Sequence, residues 1–146
     1  MDADTMLAAY TAAVSARMGT TTTTSTSELD AYGRRWFTPL QFLGVFPQDE
    51  EPPRTKHRCF YVQNTKPASH RGEHWTAIGR EPGKPDLFFD SYARKPSPHF
   101  MPHLQGVALT DPDVDQSLDS TVCGQLSMAW GHIFIECGYE IAQSAG

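Results

Sequence analysis

The chain has 146 residues and a net charge of −5, a length suited to one domain around one modest core. The acidic balance argues against a nucleic-acid partner, which favours a basic surface. Three cysteines are an odd number and do not read as a disulfide framework. With no secretory h-region and no apolar run of membrane-spanning length, the expected setting is reducing and intracellular, not secreted and not membrane-bound.

Asp4 to Arg17 places Met6, Leu7, Tyr10, Ala13, Val14 and Arg17 near helical spacing, and Gly19 can end that helix. Thr20 to Ser27 is almost all threonine and serine and is expected to be a surface connection. Ser25 to Glu28 has the spacing of a capping box, which predicts a second helix from Glu28 to about Trp36, stopped by Pro39. Gln41 to Phe46 reads as a strand, and Asp49 to Arg54 as an acidic, proline-rich loop.

Arg58 to Thr65, His74 to Gly79 and Asp86 to Tyr92 are short aromatic and β-branched segments, hence strands. The last two are joined by a turn at Pro82 to Pro85, which predicts an antiparallel hairpin. Lys66 to Gly72 is a polar loop, Ala93 to Pro102 is broken by prolines, and Leu104 to Leu109 suits a further short strand. An acidic loop from Asp111 to Asp119 leads to the apolar run Leu126 to Ile135, long enough for about three helical turns. Gly138 to Gly146 is expected to fray. Helices segregated from antiparallel strands make the class α+β. The chain divides into an N-terminal helix and Thr-rich linker at 1–24 and a single catalytic core at 25–146.

Cys123 stands at the head of the apolar run, where Ser120 or Thr121 can cap a helix. A cysteine in a first helical turn meets unpaired N–H groups and the positive end of the helix dipole, both of which favour a thiolate. An arbitrary cysteine there is more often a buried core thiol. A nucleophile also needs a base and a group to orient it. His74 opens one strand of the hairpin and Asp90 closes the other, so the two fall roughly opposite each other. Gln116 precedes Cys123 by seven positions and can donate to an oxyanion beside the Cys123 backbone N–H, or sit as a solvated loop glutamine. Gly124 belongs to the same oxyanion region and lets a substrate backbone approach closely. Trp75 and Tyr92 are aromatic candidates for lining a narrow groove. His99 and His103 are four apart, but Pro98 and Pro102 disfavour the helix that a metal pair would need, so no metal is expected.

Gly72-Glu73-His74-Trp75, then Phe88-Phe89-Asp90-Ser91-Tyr92, then Gln116 and Cys123-Gly124 follow a recognisable order. With Phe42 to Phe46 and Val62 to Thr65, the chain resembles the adenain-type cysteine peptidases. That clan unites the adenovirus maturation protease with the peptidases of ubiquitin-like modifiers. The likeness spans about Ser25 to Gly138 and is closer to the adenovirus branch. It implies Cys123 as nucleophile, His74 as general base and then acid, Asp90 as the orienting group and Gln116 as oxyanion donor. It implies Trp75 beside a glycine-selective site. The implied activity is viral maturation: cleavage of capsid or core precursor polypeptides, inside the host cell and in the virion, with no cofactor in the chemistry. The acid is aspartate, as in the modifier-specific branch. Ala93 to Asp115 holds no cysteine, so an activating viral peptide, where one is used, is expected to bind without a disulfide there. Two alternatives stay open: a ubiquitin or ubiquitin-like modifier peptidase, and acetyl transfer by the same triad.

Overall fold

A computed structural model describes residues 2–19, 24–64, 74–91, 104, 106, 108–110 and 123–145. Helix α1 (Ala3–Met18) starts where the Asp2 carboxylate accepts the Thr5 N–H, and ends at Gly19. Helix α2 (Thr26–Trp36) carries the expected capping box: Ser25 Oγ accepts the Glu28 N–H, and Glu28 accepts the Ser25 N–H. The strands are β1 (Phe42–Phe46), β2 (Cys59–Asn64), β3 (Trp75–Arg80), β4 (Leu87–Phe89) and β5 (Ala108–Leu109). Helices α3 (Cys123–Cys137) and α4 (Tyr139–Ser144) follow.

The strands form one five-stranded sheet in chain order. β2, β3 and β4 are antiparallel neighbours, as the hairpin signal predicts, while β1 and β5 run parallel to their partners at the two edges. The class is therefore α+β with a mixed sheet. Side chains alternate between the faces. Phe60, Val62, Ala77, Leu87 and Phe89 enter the main core with α3, whereas Tyr61, Ile78 and Phe88 form a second cluster with Leu104. On that second side Gln63 Nε2 donates to the carbonyls of Pro47 and Glu50 at 3.1 and 2.6 Å, and Arg80 Nη1 donates to that of Pro52 at 2.9 Å. The acidic proline-rich loop is thus fastened to the sheet through its backbone.

α3 is the centre of the fold because its apolar residues surround it; such a helix is stable only when buried. Every residue from Cys123 to Phe134 is buried. Trp130 stacks between Phe89 and Phe134, with ring centroids 5.7 and 5.4 Å away. Gly131 lets the helix settle on the sheet: a Cβ there would lie closer than 3.0 Å to the Phe60 ring.

Two expectations need correction. The segment from Gly138 does not fray. It forms α4, in which Ala142 is buried and its carbonyl accepts the Trp130 indole N–H at 2.9 Å, while the Tyr139 hydroxyl donates to the Pro85 carbonyl at 2.7 Å. The segment is short and follows Gly138, and tertiary packing is what holds it as a helix. Nor is the threonine tract a surface connection throughout: Thr24 is buried, Ser25 caps α2, and Thr26 and Ser27 lie in its first turn. The loop Lys66 to Gly72, the proline-broken Ala93 to Pro102, the acidic loop Asp111 to Asp119 and the capping candidates Ser120 and Thr121 lie outside the described residues.

Candidate active site

Cys123 is the first residue of the 15-residue helix α3, where the opening N–H groups lack intrahelical acceptors. His74 immediately precedes β3 and Asp90 immediately follows β4. Hairpin pairing explains how the last two meet. β3 and β4 align Ala77 with Phe89 and Ile78 with Phe88. Continued one step, that register sets Asp90 across from Thr76, two residues along the same face from His74. The pair is diagonal rather than directly opposite, a separation that the imidazole bridges.

His74 Nε2 lies 2.8 Å from Asp90 Oδ1. The Cys123 side chain is close enough to act on the same imidazole and raise its pKa. The three residues are 6%, 7% and 7% exposed for His74, Asp90 and Cys123, so the array is screened from bulk water. Burial is the largest influence on His74 and works against its charged form. The hydrogen bonds with Asp90 and Cys123, reinforced by their charges, more than reverse it, and the pKa is raised from 6.5 to about 9. At neutral pH the ring is therefore an imidazolium, with a proton for the sulfur side and another for the carboxylate. Such an array can hold a thiolate and later hand a proton to a leaving group.

Neighbouring contacts hold these groups in place. Ser127 Oγ, one turn into α3, donates to the Trp75 carbonyl at 3.2 Å and ties the nucleophile helix to the residue after His74. The Trp75 side chain is buried in the main core, so the bland role of the tryptophan, packing, is realised. Gly124 is buried, and a Cβ there would come closer than 3.0 Å to Thr24 Oγ1. The absence of a side chain at 124 thus serves an internal contact. Gln116, Tyr92, His99 and His103 lie outside the described residues.

The remaining thiols differ from Cys123. Cys59 is fully buried in β2, and burial pushes its pKa up, disfavouring a thiolate. Cys137 sits at the far end of α3 with Sγ 3.6 Å from Met6 Sδ. Among the described residues no group of three or more His, Cys, Asp and Glu could hold a metal ion, and no helix is long and apolar enough to cross a membrane. Two contributions escaped the sequence reading, Ser127 and Thr24. A lone serine four residues after Cys123 in an apolar run was a usable signal for the first; nothing local marked the second.

Set against known proteins, the chain matches no family model and no curated protein sequence.

Proposed function

We propose that this chain is a cysteine peptidase. The observation that carries the reading is the buried His74–Asp90 pair, at 2.8 Å, with Cys123 at the head of a buried helix and near enough to act on the same imidazole. Within that class the reading that fits best is a viral maturation endopeptidase of the adenain type, supported by the order His74, Asp90, Gln116, Cys123 along the chain.

The Cys123 thiolate attacks the scissile carbonyl carbon and moves its π electrons onto oxygen. The Cys123 backbone N–H and the Gln116 side-chain amide are the donors to that oxyanion. Protonated His74 gives its proton to the departing amine, leaving a thioester and a neutral ring. The ring then takes a proton from water as the water oxygen attacks the thioester. Collapse expels the thiolate and restores the imidazolium. Asp90 holds the ring orientation through both steps. No metal or organic cofactor enters this scheme. The substrates in this reading are capsid or core precursor polypeptides cut near glycine, in the host cell and the virion.

The test is turnover of short glycine-containing peptides by the purified chain and by Cys123→Ala. Cleavage by the first and none by the second is expected; inertness of both sinks the class. The same peptide, assayed free and as the tail of a folded ubiquitin-like domain, decides the finer reading. A gain of about a thousandfold or more for the fusion, ~4 kcal/mol of transition-state binding, assigns the enzyme to modifier removal instead.

A further inference from the structure

Helix α1 packs against the C-terminal part of α3. Met6 lies beside Cys137 at the end of that helix, with the two sulfurs 3.6 Å apart. The Tyr10 hydroxyl donates to Glu136 at 3.2 Å. Further along, Arg17 Nη1 donates to the Tyr32 hydroxyl at 3.1 Å, and that hydroxyl lies 2.8 Å from His132 Nε2. After α1 the chain comes back to the opposite end of α3, where Thr24 sits against Gly124. Thr24 thus contacts the residue next to the nucleophile.

That last contact is unusual in two ways. Thr24 is 6% exposed, and among the described residues its buried hydroxyl oxygen has no hydrogen-bond partner. A buried hydroxyl without a partner opposes folding. It also occupies the place where any side chain at 124 would begin: a Cβ there would meet Thr24 Oγ1 at under 3.0 Å, and the next nearest atoms are the Leu29 methyls at 3.1 and 3.4 Å. Glycine in a helix is itself unfavourable. Two local costs thus meet at one point, the first turn of α3. The first N–H groups of a helix have no intrahelical acceptors, so the orientation of that turn depends on what packs against it.

We propose that Thr24 is a positioning residue for Cys123: its side chain, seated in the notch left by Gly124, fixes the first turn of α3 at the angle where the sulfur meets His74. This inference rests on the cysteine-peptidase reading, because it gives a task to the Cys123–His74 contact. Thr24 touches none of the reacting groups; it acts through the backbone of Gly124. The N-terminal arm is in consequence part of the catalytic scaffold.

The full-length chain is compared with Thr24→Ala, Gly124→Ala and the double variant. The main readout is the alkylation rate of Cys123 by iodoacetamide across pH, assigned to that cysteine by mass spectrometry. Thermal melts confirm folding, and peptide turnover is measured alongside. Thr24→Ala is expected to slow alkylation near neutral pH by roughly three- to tenfold. Gly124→Ala drives a methyl into Thr24 and should lose more. The double variant should recover much of that loss, because the obstructing oxygen is gone. A wild-type profile for Thr24→Ala, or a double variant no better than Gly124→Ala, overturns the proposal. If Gly124→Ala does not fold, the Thr24→Ala profile alone decides. A chain that cuts no peptide but shows these alkylation changes would sink the peptidase reading and leave the positioning role standing.

Discussion

Asp90→Asn keeps the size of the side chain and removes its charge. In the folded protein His74 titrates at about 9 instead of 6.5. Burial, the largest influence, pulls the value down, and the Asp90 hydrogen bond leads the effects that raise it. The net displacement corresponds to ~3 kcal/mol in favour of the imidazolium. His74 is almost wholly inaccessible to solvent, so screening removes little of this. With asparagine at 90, burial is opposed by the sulfur alone. The ring then releases its proton at a lower pH, and the neutral ring is free to adopt the unproductive tautomer. Loss of the oriented tautomer is expected to cost at least a hundredfold in kcat/KM near neutral pH. Two measurements check this. NMR titration of labelled histidine should place His74 near 9 in the wild type and clearly lower in the variant. The pH profile of kcat/KM should show its basic limb near 9 only in the wild type. A variant that retains a third of wild-type kcat/KM with an unmoved basic limb would refute Asp90 as the orienting group.

The same displacement makes stability depend on pH. The folded pKa of His74 lies above its ordinary value, so its contribution is complete below about 6.5 and is lost as pH rises through about 9. Thermal midpoints of wild type and His74→Asn, measured across that range, should therefore converge toward alkaline pH; a constant gap would contradict the linkage. Gly131→Ala would press a methyl into the Phe60 ring, with an expected loss of about 1–3 kcal/mol in urea unfolding. A neutral result would mean that α3 stands off the sheet. Gln116→Ala should lower kcat about a hundredfold on a cleaved peptide if its amide donates to the oxyanion; an unaltered kcat would assign that task to backbone N–H groups.

Much of the architecture was legible in local pattern. The Ser25–Glu28 capping box, the Gly19 stop, the Pro82–Pro85 hairpin and the apolar helix opening at Cys123 each depend on a few adjacent residues. Such signals act through backbone dihedrals, caps and side-chain period, which the chain carries wherever it folds. His74, Asp90 and Cys123 were identifiable by residue type and order. The hairpin already set His74 near Asp90; what local pattern did not give is the diagonal register of their bond, or the approach of Cys123, which depends on how α3 lies across the sheet.

The remaining features belong to tertiary structure alone. α4 is too short to be stable alone, and it is held by the Trp130 indole and the Pro85 carbonyl. Trp75, read equally as a groove aromatic and as a core aromatic, packs in the core. Thr24 was read as part of a surface connection, and the fold presses it against Gly124. Residue identity determined which chemistry this chain could carry. Which side chains share a site was decided by packing between segments far apart in sequence, because an imidazole, a carboxylate and a thiol interact only within a few ångströms, and sequence separation sets no such distance.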